Sequence, residues 1–195
     1  AAIGRLLNEL EQLNLRKNTL IIFASDNGAA IQAPIKILNC NAGFKGRKGT
    51  LYEGGIRVPF IVNQPGMVPI QTLDNLIYFP DMMPTLAALA KGTKHLPKQI
   101  NGINILPLFY GKQVDTDNRL LYWEFPGKQR AARKGDWKCV TIHPNQPLEL
   151  YNLKEDPEET NNLAKKYPRR VKEFDEEMQR MHIPTPNWPQ PGEQF

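Results

Sequence analysis

Residues 19–28 read TLIIFASDNG. The segment Leu20–Ala24 is continuously apolar and rich in isoleucine, and the polar tetrapeptide Ser25–Gly28 stops it. Such a run fits a strand covered on both faces in a parallel sheet. Upstream, Ile3, Leu6, Leu7, Leu10 and Leu13 recur at helical spacing, so residues 1 to about 14 are expected to form a helix with one apolar face. Arg16 and Lys17 follow it, cations suited to a helix C-terminus. A helix feeding such a strand is half of an α/β unit. The helical pattern opens without a capping residue, so the chain is expected to be a piece of something longer.

Downstream, residues 29–57 are polar and glycine-rich. Overlapping their end, Gly43–Pro59, GFKGRKGTLYEGGIRVP, holds five glycines, four basic side chains and one acid. Glycine loses more freedom on folding than any other residue. Five of them suggest a backbone that takes unusual angles or comes close to something, and the cations suggest that the something is an anion. Val58–Asn63 then reads as a second short strand, stopped by Gln64-Pro65-Gly66. DMMPTLAALA, 81–90, reads as a short helix with Asp81 as its cap, Pro84 in its first turn and Gly92 closing it.

The character changes near residue 112. RLLYWEF (119–125), QRAARK (129–134), WKCVTI (137–142) and LELYNL (148–153) are β-like, with turns at Pro126-Gly127, Gly135-Asp136 and Pro144-Asn145. This predicts an antiparallel meander, with Tyr122, Trp123, Trp137 and Tyr151 in its core. KEDPEETNN (154–162) is an acidic turn. Residues 168–181 predict an amphipathic helix with Val171, Phe174, Met178 and Met181 inward, and a proline-rich tail follows. The expected division is residues 1–113, part of an α/β domain, and 114–195, a small α+β subdomain of four antiparallel strands and a C-terminal helix.

Composition narrows the function. The chain has 195 residues, 41% of them hydrophobic, which is enough for an ordinary core. Its apolar runs are too short to span a membrane. A formal charge of +5 reads as a solvated face rather than a nucleic-acid surface. Cys40 and Cys139 lie in unrelated contexts without metal spacing and read as two buried free thiols. His95, His143 and His182 are scattered, and read as surface or packing residues.

Ser25-Asp26-Asn27-Gly28 stands at the end of the first strand, where ligands of α/β sheets collect. Asp26 and Asn27 offer one charged and one neutral hard oxygen, suited to Ca²⁺ or Mg²⁺, although D-N-G is equally a good turn. In the glycine-rich loop Lys48 lies between Arg47 and Gly49, and can meet an anion as a point charge beside backbone amides; a solvated loop is the plainer reading. Glu53 reads as the internal partner of Arg57 or of a loop amide.

Taken in order, F-x-S-D-N-G (23–28), K-G-T-L-Y-E-G-G-I-R-V-P-F-I-V (48–62), P-G-M (65–67), D-M-M-P-T-L (81–86), G-I-N-I-L-P-L-F-Y-G (102–111), L-Y-W-E-F (121–125), R-K-G-D-W-K (133–138) and L-E-L-Y-N-L-K-E-D-P-E-E-T-N-N-L-A (148–164) resemble the type I sulfatases of the alkaline-phosphatase-like superfamily. The resemblance covers nearly the whole chain and is similar to the C-terminal part of such an enzyme. It implies that Asp26 and Asn27 ligate the active-site divalent cation, usually calcium, and that Lys48 contacts the sulfate. Lys45 stands where many members carry arginine. The family nucleophile is a formylglycine made within C-x-P-x-R or S-x-P-x-R, and neither Cys40 nor Cys139 begins such a motif. The resemblance therefore implies a chain that is inactive alone, with a sulfated small molecule or glycan as the parent's substrate and self-association of the truncated domain. It also implies an exported (periplasmic or extracellular) or lysosomal setting. A phosphoester or phosphonate hydrolase of the same superfamily remains an alternative, as does a non-catalytic polyanion-binding module.

Overall fold

The computed structural model describes residues 2–30, 32, 38–125, 129–143 and 145–186. They fall into two compact units: residues up to 24 with 59–116, and residues 25–58 with those from 117 on. The chain thus leaves the first unit at the end of the Leu20–Ala24 run, builds the glycine-rich loop onto the second, and returns. The division expected at 113/114 put residues 25–58 with the first unit.

The first unit holds α1 (Ala2–Gln12), β1 (Ile21–Ala24), β2 (Phe60–Asn63), α3 (Met82–Leu89) and α4 (Leu106–Phe109), with α2 (Glu53–Ile56) belonging to the other unit. Contrary to the parallel, doubly covered strand expected, β1 pairs antiparallel with β2, Ile21 opposite Asn63 and Ala24 opposite Phe60. The pleat accounts for the difference. Ile22 and Val62 face Ile105, Leu108 and Phe109, while the neighbouring pair Phe23 and Ile61 points the other way and is 46% and 57% exposed. A continuous apolar run does not say whether both faces are covered. The same holds for α1: the helix forms, but none of its residues is buried, and Ile3, Leu6 and, just past its end, Leu13 are exposed. Asp81 does not cap α3. Its carboxylate accepts hydrogen bonds from the Tyr78 amide (3.0 Å) and the Ile103 amide (2.9 Å), closing the preceding 3-10 turn.

In the second unit the meander forms as expected. β3 (Leu120–Phe125), β4 (Gln129–Lys134), β5 (Trp137–Thr141) and β6 (Glu149–Asn152) make a four-stranded antiparallel sheet in that order, and α5 (Pro168–Met181) follows. Period-two alternation sends Ala132, Cys139 and Leu150 to one face, where Phe174 and Met178 of α5 cover them. Ala131, Val140 and Tyr151 go to the other face, where Leu51 and Tyr52 of the glycine-rich loop cover them. A sheet covered on both sides buries both registers, and this gives the loop a rigid floor. The turns at 126–127 and at Pro144, and the tail from 187, lie outside the described residues. No described helix is long and apolar enough to cross a membrane.

The expectation of two buried thiols holds for Cys139 but not for Cys40, which is exposed. Cys40 lies in the irregular loop, where no packed face receives it, whereas burial beneath α5 pushes the Cys139 thiol up to about 12. A thiolate is the reactive form. Titration of the native chain with an aromatic disulfide reagent should therefore label Cys40 within minutes and leave Cys139 unlabelled until denaturant is added. Two fast equivalents would contradict this packing.

Candidate functional site

The loop 25–58 is organised by α2, a single helical turn carrying Glu53, Gly54 and Gly55, all buried. One turn is far too short to be stable alone. Backbone contacts and a charge network hold it. The Gly54 amide donates to the Lys45 carbonyl at 2.7 Å, and the Gly28 amide donates to the Gly55 carbonyl at 2.9 Å. A Cβ on Gly54 would stand 2.6 Å from the carbonyl oxygens of both Lys45 and Gly46. A Cβ on Gly28 would overlap the Gly54 carbonyl, and one on Gly55 the Thr50 carbonyl. The glycines are there because the backbone of the S-D-N-G turn, the Lys45–Thr50 turn and α2 meet without room for side chains.

These contacts bring the segments of the candidate residues together. The Lys48 amide donates to the Ala29 carbonyl at 2.9 Å, beside the Gly28–Gly55 bond. Ser25 Oγ donates to the Asn27 carbonyl at 2.7 Å and shapes the turn. Asp26 and the Lys48 side chain are exposed, and Asn27 is half-buried. Gln129, at the start of β4, clamps the next residues: its Nε2 donates to the Gly49 carbonyl at 2.9 Å and its Oε1 accepts from the Leu51 amide at 3.2 Å.

Lys45 is half-buried and engaged by neighbouring side chains. Its Nζ lies 4.1 Å from the centre of the Tyr52 ring, donates to the Tyr151 hydroxyl at 2.9 Å and sits 3.4 Å from Glu149 Oε2. The same carboxylate oxygen accepts from the Tyr52 and Tyr151 hydroxyls, each at 2.7 Å. Burial and then the bonds to Glu149 raise both phenols above their ordinary 10. Burial alone would raise Glu149. The hydrogen bonds from Tyr151 and Tyr52 and the charge of Lys45 together outweigh it and carry the carboxyl below its ordinary 4.5.

Beneath α2 lies the centre of the network. Lys138 of β5 is fully buried; its Nζ donates to Glu53 Oε1 at 2.9 Å and lies 2.8 Å from Glu159 Oε1. The second contact is an ion pair without hydrogen-bond alignment. The other Glu159 oxygen accepts the Glu53 amide at 2.7 Å, at the N-terminus of α2. Burial raises the Glu159 carboxyl against the pull of Lys138. Arg133 and Arg57 stand 3.8 and 3.7 Å from Glu53 Oε2. Glu53 does partner Arg57, as the sequence suggests, but its main partner is Lys138, which Glu159 shares. The sequence signal for it is a lone charged residue in the strand WKCVT.

Asp26 and Asn27 supply oxygen donors of the hard kind that calcium or magnesium takes, and so fit part of such an ion's shell. Among the described residues no group of three or more His, Cys, Asp or Glu side chains forms a complete one.

Comparisons with known proteins agree on the class. The family described as Sulfatase matches residues 1–93. A sulfatase of Formosa agariphila is 32% identical, aligned over 85% of this chain and 34% of its own length. An N-acetylgalactosamine-6-O-sulfatase of Bacteroides thetaiotaomicron is 31% identical, over 89% of this chain and 38% of its own. Among solved structures, Ps i-CgsB in complex with k-i-k-neocarrahexaose superposes with a TM-score of 0.78 at 27% identity, over 97% of this chain and 42% of its own. The relatives named as sulfatases are hydrolases of sulfuric esters. The chain belongs to the sulfatase family, and spans little more than a third of the length of these two curated relatives.

Two outcomes follow from the geometry. Gly54→Ala forces its methyl into two carbonyls and should lower stability by about 1–3 kcal/mol or more in chemical denaturation, where Gly4→Ala, with open space around it, should not. Glu149 has a folded pKa below 4.5, so its contribution is present above that value and is lost as pH falls through the folded pKa. In Glu149→Gln the acid limb of the stability profile below about pH 4.5 should therefore be shallower than in wild type. An unchanged slope would remove Glu149 from the acid response.

Proposed function

We propose that this chain is the C-terminal part of a sulfatase that hydrolyses sulfate esters, and that it supplies Asp26 and Asn27 to a divalent cation, calcium by family habit, and Lys48 to the sulfate. Residues 1–113 would complete an alkaline-phosphatase-like α/β domain, with 114–195 as its small C-terminal subdomain. The observation that carries the reading is the backbone pairing of the two segments: Gly28 to Gly55 and Lys48 to Ala29, both 2.9 Å, join the D-N-G turn to the lysine turn. Both side chains that need solvent or ligand, Asp26 and Lys48, are exposed.

Hydrolysis of a sulfate monoester moves negative charge onto the leaving and non-bridging oxygens. Lys48, carried on a fixed backbone turn, brings an ammonium to those oxygens and stabilises the charge that develops on them. Asp26 and Asn27 are ligands, and a cation bound there supplies further charge stabilisation. None of the three is a nucleophile, and no C-x-P-x-R or S-x-P-x-R motif occurs in the sequence. The chain alone is therefore expected to show no turnover of an aryl sulfate. A relative named as an N-acetylgalactosamine-6-O-sulfatase, and a neighbour in complex with k-i-k-neocarrahexaose, support a sulfated glycan as the parent's substrate. The exposed apolar face of α1 and the Phe23–Ile61 pair support association of the isolated chain through this unit.

In a full-length sulfatase carrying this chain, Asp26→Ala and Lys48→Ala should each lower kcat about 100-fold, roughly 3 kcal/mol. Added calcium should partly restore the first variant and not the second. Wild-type kcat in Lys48→Ala would overturn the reading.

A further inference from the structure

The buried charges under α2 touch no candidate ligand, yet two of the ties that place the candidate turns, Gly54 to Lys45 and Gly28 to Gly55, run through the element they hold. We propose that Lys138 and Glu159 are positioning residues for the Lys48 turn and the Asp26–Asn27 turn, acting through the charge pair that clamps α2. The functional half of this proposal rests on the sulfate-site reading; the clamp itself does not.

Lys138 stands on the loop face of the sheet by register, opposite Arg133 on one side and Tyr151 on the other. It is 0% exposed, Glu159 1% and Glu53 2%. Glu159 uses one oxygen on Lys138 and the other on the Glu53 amide, so it joins the sheet to the N-terminus of α2. It does so from a left-handed backbone, φ 57°, an uncommon conformation for a side chain of its size. From α2 the path divides. Gly54 holds Lys45, at the start of the lysine turn, and Gly55 holds Gly28, at the end of the D-N-G turn. Lys48 then closes the circuit on Ala29. Tilting α2 shifts both turns, because the glycine contacts leave no slack between them.

The clamp works by charge rather than by filling space. Replacing Lys138 by methionine keeps most of the volume but leaves the Glu53 and Glu159 carboxylates facing each other across a buried gap, which strongly disfavours the arrangement. Removing the Glu159 charge as well relieves that opposition. The amide oxygen introduced by Glu159→Gln still accepts the Glu53 backbone N–H, and Glu53 keeps Arg133 and Arg57.

Amide hydrogen exchange on the full 195-residue chain tests this. In Lys138→Met the amides of Gly28, Lys48 and Gly54 should exchange at least about tenfold faster, beyond any change at Met178 within α5 on the other face of the sheet, whose amide serves as the internal reference. Lys138→Met/Glu159→Gln should regain most of the protection, a rescue that lost packing alone does not give. Unchanged exchange in the single variant, or a double variant no better protected than the single, overturns the clamp. If Lys138→Met does not fold, Glu159→Gln alone should speed the same three amides about threefold, and wild-type exchange there overturns the proposal. A parallel titration with sodium sulfate, against sodium chloride at equal ionic strength, follows the Lys48 amide. A sulfate-specific shift that weakens in Lys138→Met and returns in the double variant supports the positioning role. No shift in wild type overturns the sulfate reading and the positioning role with it, while the exchange data still decide the clamp.

Discussion

A lysine ammonium enclosed by two carboxylates and shielded from solvent is the constraint around which the second unit is arranged. Lys138 between Glu53 and Glu159 is fully buried, and taking such charges out of water costs several kcal/mol per ion before any attraction is counted. The arrangement persists only if each charge is met. Glu53 therefore has three cations around it, Lys138, Arg133 and Arg57, and Glu159 has Lys138 and the Glu53 amide. An apolar cluster of the same size would stabilise the fold as well or better. What the ions add is direction, since the Lys138–Glu53 ion pair and the hydrogen bond from the Glu53 amide to Glu159 fix the start of α2 in a way that apolar contacts do not.

Sterics supply the second half of the constraint. Three glycines, Gly28, Gly54 and Gly55, let three backbone segments touch. The charge network fixes α2, and the glycine contacts transmit that position to the turns on either side. Neither device is sufficient alone. A helix of one turn without its anchor would fray, and an anchored helix bearing side chains at 54 and 55 would hold the lysine turn away.

The sequence is legible where periodicity is strong. The four strands of the meander and α5 lie within a residue or two of their expected bounds, because alternation and the 3.6-residue repeat are unambiguous there and turn residues separate the segments. It is less legible where one pattern serves two environments. Leu20–Ala24 looks the same whether one face is covered or both, and the answer, with Phe23 and Ile61 outward, depends on what packs nearby. The loop 25–58 carries no period at all, so nothing local says that it belongs with the antiparallel sheet. Lys138 is hidden for a related reason. A lysine in a strand reads as a solvent-facing residue, and only a sheet covered on both faces turns it into a buried charge. The candidate site was legible in its turn and its lysine, through residue types and order, but not in the side chains that hold them.

The cations of the loop divide by what their surroundings leave them. Lys45 is neutralised within the protein: two aromatic rings, a tyrosine hydroxyl and the Glu149 carboxylate surround its ammonium. Its charge does little beyond that pocket, because Glu149 cancels it within a few ångströms and the Debye length at physiological salt is only about 8 Å. Lys48 shows the opposite arrangement. Its amide is tied to Ala29 and the next residues are clamped by Gln129, while its side chain is exposed. The backbone of Lys48 is therefore held in place while its ammonium stays exposed to solvent. Of the four basic residues between Gly43 and Pro59, Lys45 and Arg57 have carboxylate partners, and Arg57 also lies over the Phe44 ring. The positive charge that a sulfate would meet is therefore smaller than the composition of the loop suggests, and it is concentrated at Arg47 and Lys48.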